Sequence, residues 1–387
     1  METLTKSVGL MQMPRLCVGS GSLKSLLDTF KQYQTTSVMI ITCQDLVTHG
    51  VYGRLSGILA LWTGIKTVCY DRIEPDPTLE TVEEIVAIGR REKIDLIIAL
   101  GGGSPIDAAK VAAALIPTQQ SVRDVIGIGR VKDALPLIAI PTTAGTGSEV
   151  TPVAILTDTV DQVKKAVVSE LMIPRLAILD ADLTLALPKQ QTAFTGLDAL
   201  SHAIEAFTSK NATPLTDFYA REAISLMQRY LRPAYNDGTD RDARTSMQLG
   251  AYYAGIAFAN AGVTAAHAFA YPLGARYHLP HGLAVILMLP AVLEYNQVGQ
   301  ETRFDELARL LNADQAATHA DLVPALVTLC QDLDIPLGLS HSKVQPDDLK
   351  PMAESVLTIT RILNNNPRPI TQLAEAESIF QRAFLYA

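Results

Sequence analysis

The chain has 387 residues, enough for two or three domains. Hydrophobic residues make up 48% and charged ones 19%, the balance of a globular protein with a buried core, which excludes disordered and fibrous classes. Lys and Arg number 32 against 40 Asp and Glu, and a net charge of −8 repels phosphate backbones and anionic lipid. Neither nucleic acid nor a membrane is therefore an expected partner. Cys17, Cys43, Cys69 and Cys330 are scattered without a CxxC, which argues against a disulfide framework and a thiolate zinc site and for a reducing, cytoplasmic setting. The first thirty residues lack the apolar core of a signal peptide, and apolar runs such as 283–293 fall short of a membrane span.

In chain order, Ser37–Thr42, Thr67–Tyr70, Ile94–Leu100, Leu135–Ile140, Val153–Thr157 and Leu176–Leu179 read as strands, each short, rich in branched residues and bounded by turn signals. Leu46–Trp62 and Thr78–Lys93 are long enough to be crossover helices, so a Rossmann-like α/β domain with a parallel sheet is expected over 1–187. Past Leu187-Pro188 the pattern changes. Thr213–Arg229, Asp240–Phe258, Gly282–Tyr295 and Thr302–Leu311 carry helical periodicity and no strand alternation follows, which predicts an all-α domain over 188–387. A cleft between two such domains is a natural place for cofactor and substrate to meet.

Two loops invite a nucleotide. Leu96–Leu100 runs into Gly101, Gly102 and Gly103, followed by Ser104, Pro105 and Asp107, which suit the N-cap, N1 and N3 positions of a helix. Glycines let a ligand approach the backbone, and the positive end of the helix favours a pyrophosphate. Ile106 stands at the third glycine position of the usual GxGxxG, so this is not the standard fingerprint. The second loop, Pro141 to Glu149, follows another buried strand and is dense in hydroxyls and glycines.

The helical half carries metal-type residues. Asp198 and His202 are i and i+4 and share one helix face, flanked by apolar neighbours; a carboxylate–imidazole pair would alone satisfy the aspartate. Three of the seven histidines, His267, His278 and His281, fall within fifteen residues. On a straight helix His267 and His281 would stand ~21 Å apart. Pro272, Gly274 and Pro280 are expected to break that helix and turn the chain back, so that Asp198, His202, His267 and His281 converge as an N/O site for Fe(II), Zn(II) or Mn(II). His278 is read as a loop residue that lines a pocket or faces solvent.

Together, GGGSPIDAAK (101–110), PTTAGTGSEVT (141–151), LDALSHAIEA (197–206), HAFAYPLGARYHLPHG (267–282) and Asn366-Pro367-Arg368 resemble the iron-containing (group III) alcohol dehydrogenase family, in family order across nearly the whole chain. The resemblance implies a dehydroquinate synthase-like architecture, an N-terminal domain binding NAD or NADP and a helical domain binding iron through Asp198, His202, His267 and His281. By the same resemblance Gly101, Gly102, Gly103, Ser104 and Asp107 contact the pyrophosphate, Thr142, Thr143, Thr146 and Lys165 lie along the cofactor, and Phe258 and Val153 border the substrate pocket. Two departures stand out. A histidine common in the family four residues after the third ligand is Tyr271 here, so Tyr271 and His278 become the candidates for a proton relay. The aspartate with which many members end the first strand and bind the adenosine ribose is replaced by the neutral pair Cys43 and Gln44.

The expected activity is metal-dependent oxidation of a small primary alcohol, or reduction of an aldehyde, by hydride transfer with NAD(P), in a homodimer or larger homo-oligomer. Rival readings are a glycerol dehydrogenase, a maleylacetate reductase or a dehydroquinate-synthase-like lyase on the same fold, and a non-catalytic nucleotide sensor with a structural metal. The lyase would need clustered Lys and Arg, and the ligand segments carry only Arg276.

Overall fold

The computed structural model describes residues 9–33, 35–161 and 163–386. The chain divides into two compact units, Met11–Leu187 and a second built on Pro188–Ala387, with which Gly9 and Leu10 group.

In the first unit a six-stranded sheet is formed by β1 (Arg15–Val18), β2 (Ser37–Ile41), β3 (Lys66–Tyr70), β4 (Leu96–Gly101), β6 (Leu137–Pro141) and β9 (Leu176–Leu179), in the order β1-β9-β6-β4-β2-β3, with every pairing parallel. The other three strands, β5 (Gly127–Ile128), β7 (Val153–Asp158) and β8 (Val163–Val168), make a small separate sheet. Helices α1 (Leu26–Tyr33), α2 (Gln44–Thr48), α3 (Val51–Leu59), α4 (Leu79–Arg91), α5 (Gly103–Leu115) and α6 (Val122–Val125) complete the unit.

A parallel sheet covered on both faces explains the unbroken apolar runs. Met39, Ile41, Ile97, Ala99, Leu137 and Ala139 pack with residues of α4 and α5, while their neighbours Val38, Ile40, Ile98, Leu100, Ile138 and Ile140 pack with residues of α1 and α3. Helix α5 is buried continuously from Pro105 to Leu115, which is why that stretch is apolar apart from Asp107 and Lys110.

Several expectations shift here. The stretch 46–62 is not one helix, because Gly50 takes a left-handed φ of 75° and separates α2 from α3. The strands expected from Ile94 and Leu135 begin at Leu96 and Leu137. Strands β1, β5 and β8 carry no apolar run: β1 is four residues with an arginine, β5 is two residues, and β8 has Lys164 and Lys165 on a half-exposed hairpin with β7.

The second unit has no strand among its described residues. It comprises α7 (Lys189–Thr208), α8 (Pro214–Asn236), α9 (Arg241–Ala261), α10 (Ala265–Tyr277), α11 (His281–Asn296), α12 (Glu301–Asn312), α13 (His319–Asp332), α14 (Leu349–Leu357), α15 (Thr360–Leu363) and α16 (Leu373–Leu385). Helix α7 is the hub, buried from Thr192 to Thr208 apart from Thr195. Among the described residues no helix is long and apolar enough to cross a membrane.

Candidate active site

In the helical unit, α7 carries Asp198, His202 and Glu205, spaced i, i+4 and i+7 and therefore on one face. His267 lies in the first turn of α10 and His281 opens α11. Of the three expected breaks only Pro280, the N-cap of α11, falls at the chain reversal; Pro272 and Gly274 lie inside α10, and the turn begins at His278, left-handed with φ 54°. The reversal brings the His267 and His281 rings to 5.4 Å.

Asp198, His267 and His281 each offer one ligand atom, all within 4.8 Å of one another. Asp198 Oδ1 is 3.9 Å from Nε2 of both His267 and His281, too long for a hydrogen bond and suited to donors around one cation. Asp198 Oδ1 and His267 Nε2 are buried and make no hydrogen bond. Leaving such atoms unpaired costs ~1–3 kcal/mol each, and a divalent ion satisfies both at once. Burial raises the Asp198 carboxyl above its ordinary range, with His281 and His267 opposing. His202 is not in the 4.8 Å set; its ring stacks between His267 at 4.6 Å and Phe258 at 4.3 Å.

Glu205 carries no weight in the sequence reading, yet it is almost fully buried and saturated. Its Oε1 accepts from Thr264 N (3.0 Å), Thr264 Oγ1 (2.8 Å), Ala266 N (2.9 Å) and His267 N (3.4 Å), and its Oε2 pairs with His267 Nδ1. The same end of α10 is held by Asn366, whose Oδ1 accepts from Ala265 N (3.2 Å) and from Asn296 Nδ2 (2.9 Å).

In the α/β unit the glycine turn and the hydroxyl-rich loop pack together. Gly101 has φ 153°, and a Cβ there would stand 2.5 Å from Pro105 Cγ. A Cβ on Gly102 would meet Thr143 Oγ1 at 3.3 Å, and one on Gly103 would meet Thr146 Cγ2 at 3.0 Å. The two loops are joined by Thr142 N donating to Gly101 O (3.0 Å). The N-cap of α5 is Gly102, two residues before Ser104, so Ser104 lies inside the first turn and its Oγ accepts from Asp76 N (3.3 Å).

Asp107 is turned inward rather than capping: its carboxylate accepts from Ser148 Oγ (2.9 Å) and Ile155 N (2.9 Å), 3.9 Å from Lys110 Nζ. Lys110, fully buried, donates to Thr151 Oγ1 (3.0 Å) and Val153 O (2.8 Å). Burial lowers Lys110 to about 8 and raises the nearby Glu149 to about 7. This polar core fixes the 148–155 segment on α5; a lysine in so apolar a helix was the available signal for it. Lys165 stands on β8 and pairs with Asp161 at 3.0 Å.

Two family profiles match the chain: "Iron-containing alcohol dehydrogenase" over residues 14–181 and "Fe-containing alcohol dehydrogenase family, C-terminal" over 192–384. The chain belongs to the iron-containing alcohol dehydrogenase family. It is 36% identical to long-chain-alcohol dehydrogenase 1 of Geobacillus thermodenitrificans over 98% of this chain and 97% of that one. The crystal structure of a 1,3-propanediol oxidoreductase matches with a TM-score of 0.94 at 32% identity, covering 98% of this chain and all of that one. Sulfoacetaldehyde reductase from Bifidobacterium kashiwanohense, solved in complex with NAD+, matches with a TM-score of 0.90 at 29% identity over 99% of this chain and 100% of the other. As an iron-containing alcohol dehydrogenase the protein is an oxidoreductase acting between alcohols and aldehydes.

Tyr271, His278, Cys43 and Gln44 have distinct settings. Tyr271 is one turn after His267 on α10; burial raises its phenol pKa, with Arg361 opposing, so it is neutral near pH 7. His278 is exposed in the turn. Cys43 is half-buried and Gln44 exposed at the start of α2. Cys43 is bridged through the backbone to Arg72, a cation 29 positions away in sequence whose guanidinium pairs with Glu84 and lies 4.6 Å above the Tyr70 ring.

Proposed function

We propose that this chain is a metal-dependent NAD(P) alcohol dehydrogenase or aldehyde reductase for small primary alcohols or aldehydes. The observation that carries the reading is the pair of buried, unsatisfied atoms, Asp198 Oδ1 and His267 Nε2, converging with His281 where no protein group completes them. Asp198, His202, His267 and His281 hold Fe(II), or alternatively Zn(II) or Mn(II), with carboxylate and imidazole donors and no thiolate. The bound ion supplies Lewis acidity at the substrate oxygen and the nicotinamide supplies the hydride acceptor or donor.

The rest is the work of the chain's own residues. Gly101, Gly102 and Gly103 keep the backbone bare of side chains where the pyrophosphate approaches, and Ser104 lies in the same helix turn. Asp107 acts from behind, holding the loop of Thr142, Thr143 and Thr146 through Ser148 and Ile155. Lys165 lies along the cofactor. Tyr271 and His278 move the hydroxyl proton toward solvent. The unit Met11–Leu187 serves as the nucleotide domain and the helical unit built on Pro188–Ala387 as the metal and substrate domain. In this reading the enzyme works in the cytoplasm, as its four free cysteines suit, and as a homodimer or larger homo-oligomer.

Phe258 shapes the substrate pocket. Its ring, stacked on His202, offers no hydrogen-bond partner, and a buried hydroxyl without one costs ~1–3 kcal/mol. Butanol is therefore expected to give a higher kcat/KM than glycerol, measured side by side with either cofactor; the reverse order contradicts an apolar pocket.

Cofactor choice follows from Cys43 and Gln44, which carry no negative charge although Asp45 follows at once, and from Arg72, bridged to Cys43 and paired with Glu84. Both cofactors are expected to serve, NADP(H) somewhat better. Cys43→Asp should depress kcat/KM for NADP(H) and leave NAD(H) use intact or improved. A parent enzyme preferring NAD(H) by more than ~1000-fold, about 4 kcal/mol, overturns this.

A further inference from the structure

We propose that Glu205 is a positioning residue that sets the tautomer of His267, so that Nε2 presents its lone pair to the ion. The proposal rests on the metal-centre reading above and adds a residue outside the ligand set. A neutral imidazole has one N–H and one acceptor nitrogen. A carboxylate only accepts, so the contact between Glu205 Oε2 and His267 Nδ1 puts the proton on Nδ1 and leaves Nε2 bare, facing Asp198 Oδ1 at 3.9 Å.

Glu205 is held so that it cannot turn away. Three backbone N–H groups and the Thr264 hydroxyl converge on Oε1, anchoring that oxygen to the first turn of α10, and the side chain is 1% exposed. Glutamine at this position separates the two jobs of the carboxylate. Its single oxygen is forced toward the four donors, because an NH2 group there would oppose them, so the N-terminus of α10 stays capped. Its NH2 then faces Nδ1 and donates, which moves the imidazole proton to Nε2 and blocks the ligand position.

The test uses Co(II), whose visible ligand-field bands report coordination without turnover, together with thermal melting of the metal-free chain. Glu205→Gln should melt within a few degrees of the parent while its Co(II) affinity, read by chelator competition, falls about 10–100-fold and the bands change. Parent-like affinity and spectrum in Glu205→Gln would overturn the proposal and leave the metal centre itself standing, whereas a parent chain that binds no Co(II) would remove the centre. Should Glu205→Gln not fold, Thr264→Val decides: it removes one bond to Oε1 and leaves Nδ1 untouched. Unchanged Co(II) affinity despite a lower melting temperature supports the tautomer role. An affinity loss of 10-fold or more in Thr264→Val would reduce Glu205 to a helix cap and overturn the proposal.

Discussion

Replacing His267 or His281 by alanine is expected to remove bound metal and activity together. In the proposed centre the four donors come from three helices, and His267 and His281 each supply their helix's only contribution. Without either imidazole the buried Asp198 Oδ1 loses the partner through which a cation would satisfy it. The Lewis acidity at the substrate oxygen disappears with the ion, so kcat/KM should fall about 1000-fold or more, ~4 kcal/mol of barrier. Metal analysis of the purified variant beside steady-state kinetics checks this. Full occupancy with parent-like turnover in either variant contradicts the ligand assignment.

Gly282→Ala should come second in effect, although the residue touches no substrate. A Cβ there would lie 2.2 Å from the backbone oxygen of Phe194 and 3.1 Å from Asp198 Cβ, so α11 crosses α7 at a distance that only glycine permits. The added methyl must push the two helices apart, and with them His281 from Asp198. A shift of about 1 Å at a reacting centre costs on the order of 100-fold in rate, and overpacking costs about 1–3 kcal/mol of stability. Gly274→Ala is the control, since its Cβ would meet nothing nearer than Leu279 O at 4.0 Å. If Gly282→Ala retains parent metal content, melting temperature and kcat/KM, the close crossing has no role in holding the site.

The parts of this protein legible in its sequence are those set by local chemistry. Buried parallel strands write themselves as apolar runs, and glycines before a helix mark a turn where a Cβ would collide, as Pro105, Thr143 and Thr146 show for Gly101, Gly102 and Gly103. The convergence of His267 and His281 was readable because Pro280 cannot continue a helix, even though Pro272, tolerated inside α10, pointed to the wrong place for the break.

What stayed hidden depends on pairings distant in sequence. Glu205 acquires its meaning only when α10 lays its first turn against α7, some sixty residues later. Arg72 belongs beside Cys43 because β2 and β3 run parallel and the chain after β3 folds back on the end of β2. Asp107 looks like a capping residue until Ser148 and Ile155 claim its carboxylate. Lys110 is conspicuous in an apolar helix, but its partners Thr151 and Val153 lie some forty residues on.

In the proposed mechanism one divalent ion, held by Asp198, His202, His267 and His281, is what the alcohol–aldehyde chemistry of this chain depends on. The direct measurement is an anaerobic titration of metal-free protein with Fe(II), following NAD(P)H formation from butanol at each addition. Turnover should be absent at the start, rise in proportion to added iron and level off at one equivalent per chain. Full turnover by the metal-free protein, or none at any iron loading with either cofactor, would contradict it.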